Sequence, residues 1–156
     1  MLKLDVPGFG ALELEHLVTD YTGTLSVDGR LLPGIREQLA RVSDFLKVHV
    51  LTSDTFGTAR EELAGLDCLL RILDGQGHDI QKEDYVNDLG PERVVALGNG
   101  RNDALMLTAA RLGIAVAEGE GCASAAIISS DILVKSAAEA FGLLMNEKRL
   151  KASLRF

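Results

Sequence analysis

Short runs of Val, Ile and Leu alternate along this chain with segments in which apolar residues recur at the period of a helix. The runs fall at residues 17–19, 48–51, 69–73, 94–97, 114–117 and 132–134. Such alternation is typical of βαβ units, in which helices cover both faces of a parallel sheet. We therefore predict a three-layer, Rossmann-like α/β fold with a mainly parallel sheet.

The length of 156 residues predicts a single domain, 1–156. Polarity alternates on both sides of the Pro7-Gly8 turn, which predicts an N-terminal hairpin within residues 1–16. The Asp28-Gly29 pair predicts a second, smaller hairpin. Residues 146–156 form a basic tail, which either docks on the body or a neighbouring subunit or stays solvated.

The segments with helical period predict helices between the strands. We expect one to begin at Pro33 and one to end at Gly90, because proline suits the first helical position and glycine the position after the last. A third should span 104–112 and stop at Gly113. The other two are expected at 58–63 and 137–145.

The charge and the distribution of apolar residues exclude some classes of partner. A formal net charge of −7 repels phosphate backbones, so we expect no nucleic-acid partner. No uninterrupted apolar stretch reaches the ~18 residues that a membrane helix needs, and no signal peptide is recognisable. A cytoplasmic location is the resulting expectation.

Polar clusters follow several predicted strands at the edge where ligands bind in open parallel sheets. Asp20-Tyr21-Thr22-Gly23-Thr24 follows the first strand, Thr52-Ser53-Asp54-Thr55 the second, and Gly98-Asn99-Gly100-Arg101-Asn102-Asp103 the fourth; Lys82 precedes the fourth. Each cluster alone also fits a duller role, because Asp, Ser and Thr commonly cap helices and lysines are usually solvated. Their order along the chain carries more information than any single cluster.

In that order, DYTGTL, LTSDT, Lys82 and GNGRND resemble the four motifs of the haloacid dehalogenase (HAD) superfamily. The form they resemble most is the phosphorylation domain of P-type ATPases, whose pattern is DKTGT, TGD, a lysine and GDGxND. The resemblance implies the central strand order 5-4-1-2-3. It also implies an Mg²⁺-dependent phosphohydrolase or phosphotransferase, which acts on a phosphate monoester through an aspartyl-phosphate.

The resemblance assigns roles to individual residues. Asp20 would be the nucleophile, Thr52 and Lys82 would bind the phosphoryl oxygens, and Gly23 would turn the chain so that N–H groups face them. Asp20, the Thr22 carbonyl, Asp103 and Asn99 would hold Mg²⁺. The catalytic set is thus Asp20, Thr22, Thr52 and Lys82, and the phosphate-binding set is Tyr21, Gly23, Thr52, Ser53, Lys82 and Asn102. Asp54 would either orient its loop or cap a helix.

Two positions depart from the phosphatase pattern. Thr22 stands where most phosphatases of the superfamily have a second aspartate that serves as acid and base. Loss of such help typically costs about 10²–10⁴ in rate, so we expect slow turnover and a long-lived aspartyl-phosphate. Asn99 stands where the motif usually has an aspartate that faces the metal, and this should weaken metal binding.

Cap domains of the superfamily have no room in this chain, because the intervals between the motifs are too short. An open site predicts either a large phosphorylated substrate or completion of the site by another subunit, and hence a homo-oligomer. Two alternatives stay open. One is a non-catalytic module that binds Mg²⁺, phosphate or a partner protein, and the other is ATP hydrolysis or autophosphorylation.

Overall fold

The computed structural model describes residues 1–156. The strands are β1 Leu2–Val6, β2 Gly10–Leu14, β3 His16–Asp20, β4 Ser26–Val27, β5 Arg30–Leu31, β6 Lys47–Thr52, β7 Leu69–Ile72, β8 Val94–Gly98, β9 Leu112–Val116 and β10 Ile132–Val134. The helices are α1 Ile35–Ser43, α2 Ala59–Glu62, α3 His78–Leu89, α4 Ala104–Ala109, α5 Ser124–Ile128, α6 Ala137–Leu144 and α7 Glu147–Leu154. Single 3₁₀ turns lie at Pro91–Arg93 and Arg101–Asp103.

Six strands form the central sheet in the order β10-β9-β8-β3-β6-β7. Every neighbouring pair is parallel. Numbered along the chain, the first five of these strands give the order 5-4-1-2-3, and β10 adds a sixth at the edge. The predicted fold class and strand order are confirmed, and the chain has no cap domain.

Strand β3 lies inside the sheet, between β6 and β8, and its side chains alternate between two apolar layers. Leu17 belongs to a layer formed with α1, α6 and α7, whereas Val18 belongs to a layer formed with α3, α4 and α5. Because both faces of the sheet are covered, the side chains of β3 from Leu17 onward are buried. Asp20 is the last residue of β3, at the carboxyl edge of the sheet.

The two chain ends pack together. Strands β1 and β2 form the predicted N-terminal hairpin, paired from Leu2 with Leu14 to Val6 with Gly10. The basic tail is the helix α7, which packs on β1 and buries Leu150 and Leu154. Its first N–H groups are capped by the side chain of Asn146.

Two local predictions were wrong. Helix α1 begins at Ile35 after Gly34, so Pro33 lies before the helix. Helix α4 ends at Ala109, and Gly113 lies within β9. A Cβ on Gly113 would lie 2.5 Å from the Leu107 carbonyl oxygen, so this glycine permits close helix–strand packing and does not stop a helix. Helix α5 was not predicted at all.

No helix of the chain is both long and apolar enough to cross a membrane.

Candidate active site

Three charged side chains that are distant in sequence meet at the carboxyl edge of the sheet. The Lys82 ammonium donates to Asp20 Oδ1 at 2.7 Å and to Asp103 Oδ1 at 2.6 Å. All three residues are buried, with 7% of Asp20, 1% of Lys82 and 0% of Asp103 exposed. A fully buried lysine is rare, because burial of a charge is costly unless the charge is paired. The two carboxylates supply that pairing here.

Helix α3 supplies Lys82 from its inward face. Lys82 and Val86 are its buried residues, and their spacing of four places them on the same side of the helix. The other residues of α3 are largely polar, so the sequence gives little sign that this face of the helix is buried. Gly90 ends the helix, as predicted.

The Asp103 carboxylate organises its own loop. Its Oδ2 accepts the N–H groups of Asn99 and Gly100 at 2.9 and 2.8 Å, and Oδ1 binds Lys82. A Cβ on Gly98 would lie 2.5 Å from the Asp103 side chain, so glycine is required where the strand passes the carboxylate. The position of the Asp103 side chain therefore explains the first glycine of the GNG segment.

Burial and the proximity of the charges shift two pKa values. Burial, followed by repulsion from Asp103, raises the pKa of Asp20 to about 7, although the charge and hydrogen bond of Lys82 oppose the shift. Burial by itself would lower the pKa of Lys82, but attraction to Asp20 and Asp103 outweighs burial and raises it. The lysine is thus kept charged, and the Asp20 carboxylate takes up a proton more readily than an ordinary aspartate does.

The loop after β6 contains the predicted Thr52, Ser53 and Asp54. Thr52 is buried and its Oγ1 accepts the Asp54 N–H, which leaves its own O–H available to donate. Asp54 Oδ1 accepts the N–H groups of Thr58 and Ala59, so this side chain caps α2. The Ser53 hydroxyl lies 3.2 Å from that of Thr55 on the surface.

The loop after β3 is closed by its own hydrogen bonds. The Tyr21 carbonyl accepts the N–H groups of Leu25 and Ser26, and the Gly23 N–H donates to the Ser26 carbonyl. Gly23 thus provides the turn, with φ 78°, but not a free donor for phosphate. The Tyr21 hydroxyl donates to the Gly29 carbonyl, so the side chain anchors the small hairpin. Burial raises the pKa of Tyr21 to about 12.

Asn99 is engaged away from the carboxylates. Its Oδ1 accepts from the Thr24 hydroxyl at 3.2 Å, and its Nδ2 donates to the Gly121 carbonyl at 3.0 Å. These contacts account for the departure from aspartate, because a carboxylate could not donate to Gly121. Asn102, the other predicted amide, is exposed on the same loop.

The loop at 117–123 was not foreseen as part of this region. Glu120 Oε1 accepts the Asp28 N–H at 2.8 Å, which joins the loop to the small hairpin. A Cβ on Gly23 would lie 2.8 Å from Glu120 Oε2, so the carboxylate also touches the loop after β3. The sequence signal for this loop was an acidic residue that lies between two glycines and follows a buried strand.

A divalent cation fits the donors of this site. With both carboxylates ionised, the Asp20–Lys82–Asp103 cluster keeps a net charge of −1, and oxygen is the donor atom that Mg²⁺ prefers. The chain has no group of three His, Cys, Asp or Glu side chains that could enclose a metal. Such a small protein ligand set suits Mg²⁺, which usually keeps several waters.

Several solved structures share the fold of this chain. A cobalt-bound deoxy-D-mannose-octulosonate 8-phosphate phosphatase from Haemophilus influenzae matches with TM-score 0.68 and 19% identity, over 90% of each chain. The corresponding phosphatase from Moraxella catarrhalis, in complex with magnesium, phosphate and KDO, matches with TM-score 0.65 and 16% identity, over 92% of this chain and 94% of that one. A zinc-transporting PIB-type ATPase matches with TM-score 0.61 and 23% identity, over 79% of this chain and 20% of that one.

The fold is that of the haloacid dehalogenase superfamily, without a cap domain, and the resemblance read from the sequence is confirmed. No family model matches the chain. The chain belongs to one family with the uncharacterized protein MJ0073 of Methanocaldococcus jannaschii. The two are 52% identical over 64 residues, which are 41% of this chain and 69% of that protein.

Proposed function

We propose that the protein is an Mg²⁺-dependent phosphohydrolase that transfers the phosphoryl group of a phosphate monoester to Asp20 and then to water. The observation that carries this proposal is the contact of Lys82 with both Asp20 and Asp103 at the carboxyl edge of the sheet. The Asp20 and Asp103 carboxylates repel each other there, and this repulsion adds to burial in raising the pKa of Asp20. A carboxylate with such a raised pKa is typical of a catalytic site.

Each residue of the site has a chemical task in this proposal. The Asp20 carboxylate forms the new bond to phosphorus, and Lys82 and the Thr52 hydroxyl neutralise charge on the phosphoryl oxygens. Mg²⁺, held by Asp20, Asp103 and the main-chain carbonyl of Thr22, would draw negative charge from the phosphate when bound. Asn99, with its amide occupied by Thr24 and Gly121, fits an indirect role better than that of a ligand.

Turnover is proposed to be slow, because Thr22 has no carboxylate to activate water. A Thr22→Asp variant should therefore speed hydrolysis of the phospho-enzyme, by up to about 10²–10⁴. A rate unchanged by this substitution would refute the explanation.

A site without a cap domain suits a phosphate at the end of a large substrate, or one enclosed by a second copy of the chain. The two phosphatases that share the fold act on an 8-phosphate of a sugar acid, as their names state, and this supports a monoester as substrate class. Homo-oligomerisation is part of the proposal and can be measured by light scattering.

A non-catalytic module that binds Mg²⁺ or phosphate is the second candidate. The engagement of Asn99 in loop contacts, together with Thr22, favours it, since both altered positions would otherwise assist turnover. Retention of the buried Asp20–Lys82–Asp103 cluster favours the enzyme, because a binding site alone does not need a carboxylate whose pKa is raised by burial and by a second carboxylate.

The decisive experiment incubates the protein with Mg²⁺ and p-nitrophenyl phosphate, and traps acid-stable phospho-enzyme. Asp20→Asn should abolish both turnover and labelling. Asp88→Asn removes an exposed carboxylate of α3 and should leave both unchanged. If the protein binds phosphate but shows neither turnover nor labelling that depends on Asp20, the proposal of an enzyme is refuted in favour of the non-catalytic binding module.

A further inference from the structure

Strand β10 lies at one edge of the central sheet and has a single neighbour, β9. The Val134 carbonyl accepts the N–H of Ala117, which directly follows β9, so the backbone groups of Val134 point toward β9. Backbone groups of successive strand residues point alternately to the two sides, so the N–H and C=O of Leu133 point away from the sheet. The sheet therefore ends at β10 in an unpaired donor and an unpaired acceptor.

The two edge strands of the sheet differ in how well they resist pairing with another strand. Strand β7, at the opposite edge, carries the exposed Arg71, and a charge within an edge strand discourages association. Strand β10 consists of Ile132, Leu133 and Val134 and carries no charge. Its central residue, Leu133, is 51% exposed. Of the two edges, β10 is therefore the one open to pairing.

Apolar side chains border β10 on both faces of the sheet. Ile132 and Val134 pack in the layer of α1, α6 and α7, so Leu133 points to the opposite face, on which α5 packs. Ile128, at the end of α5, is 84% exposed, and the chain has no charged residue from 122 to 130. On the face of Ile132 and Val134, a cavity of about 530 Å³ lies between β10 and the helices α1, α6 and α7.

This uncharged region is unusual in an acidic protein. With a net charge of −7, two copies of the chain repel each other, and the repulsion is least where the facing surfaces carry no charge. The exposed apolar residues around β10 therefore form the surface on which two copies can approach at the lowest electrostatic cost.

The charges at the two ends of β10 match those of a second copy placed antiparallel. Asp131 precedes the strand and Lys135 follows it, and both are exposed. In an antiparallel pair centred on Leu133, Asp131 of each copy lies opposite Lys135 of the other. Both groups are available, because Lys135 has no ion pair within the chain and Asp131 uses only Oδ2, which accepts the Gly113 N–H.

We propose that β10 pairs with β10 of a second copy of this chain, antiparallel and centred on Leu133, so that the two sheets become one. The Leu133 N–H of each copy donates to the Leu133 carbonyl of the other. The Lys135 N–H already donates to Glu139 Oε2, so the ladder is short and apolar contact supplies most of the binding. The two Leu133 side chains meet on the α5 face, and Ile132 lies opposite Val134 on the other face, where each copy covers the cavity.

The pairing also fixes where the candidate active sites lie, a consequence that rests on the proposed function. All strands of one sheet are parallel, so in an antiparallel dimer the carboxyl edges of the two sheets face opposite ways. Strand β3 is also three strands away from β10. The second copy therefore does not cover Asp20, and this dimer favours a large substrate over a site enclosed by the partner.

Substitutions at Leu133 test both the pairing and its register. Sedimentation velocity of the wild type should give a dimer with twice the 16.7 kDa mass of one chain. Leu133→Lys and Leu133→Glu each place like charges opposite each other and should raise the Kd of the dimer by about 100-fold or more. An equimolar mixture of the two variants should dimerise again, because opposite charges then face each other. Leu69→Lys, at an exposed position of β7, is the matched control and should remain a dimer.

A wild type that is monomeric at about 100 µM would overturn the inference, since this concentration populates any dimer with a Kd of about 10 µM or less. A dimer that survives Leu133→Lys, a mixture that stays monomeric, or dissociation caused by Leu69→Lys would overturn it as well. Sedimentation needs no substrate, so these results do not depend on chemistry at Asp20. Failure of the pairing therefore leaves the proposed phosphoryl transfer untouched, and absence of turnover leaves the pairing untouched.

Discussion

Replacing Asp20 by asparagine should make the metal-free protein more stable at high pH. The pKa of Asp20 is raised from 3.8 to about 7 in the folded protein. A folded-state pKa above the unfolded one means that stability is fully present below pH 3.8 and is lost as pH rises through 7. Each pH unit in this window corresponds to about 1.4 kcal/mol.

Between pH 5 and pH 8 the wild type should therefore lose about 3 kcal/mol of unfolding free energy that asparagine, which does not ionise, keeps. For a chain of this length, that loss is about 6–12 °C in Tm. Thermal unfolding followed by circular dichroism in EDTA measures the difference, with the exposed Asp88→Asn as a matched carboxylate control. An Asp20→Asn protein no more stable than the wild type at pH 8, or a gap equal at both pH values, would refute the reasoning.

Other substitutions test the remaining contacts. Lys82→Met leaves two buried carboxylates without their partner and should cost about 3–5 kcal/mol at pH 8, measured by urea unfolding. Asn99→Asp loses the donor to the Gly121 carbonyl and should cost about 1–3 kcal/mol in the same assay, whereas a gain in stability would contradict the contact. Gly113→Ala puts a methyl group 2.5 Å from the Leu107 carbonyl oxygen and should cost about 1–3 kcal/mol; an unchanged unfolding midpoint would show that the chain can yield there.

The sheet could be predicted because its strands are buried on both faces and read as apolar runs. The order of those strands came from the motifs, since hydrophobic pattern alone does not say which strands are neighbours. Gly113 shows where pattern misleads: a glycine after a helical segment suggests a stop, but here it lies in β9 and makes room for a carbonyl of α4.

Two helices escaped prediction for different reasons. Helix α5 has five residues, too few to show a period. Helix α7 did carry a signal, because Leu150 and Leu154 are spaced by one turn and Asn146 precedes them as a cap. The density of Lys and Arg around these leucines concealed a buried face within a basic tail.

The convergence of the three charged residues was easier to predict than the contacts around them. Asp20, Lys82 and Asp103 belong to ordered motifs, and the structure brings all three together. What the sequence does not show is which polar atoms are already occupied. The Asn99 amide and the Gly23 N–H have partners within the fold, and only coordinates reveal that.

The small hairpin β4–β5 is fastened at its turn. The Gly29 carbonyl accepts the hydroxyls of both Tyr21 and Thr58, and the N–H of Asp28 donates to Glu120. An extra segment spliced into this turn would sever links to three separate loops at once. A lid inserted at this turn would therefore disrupt the fold. Residues that select a substrate would instead have to lie around the rim of the proposed site or on a neighbouring molecule.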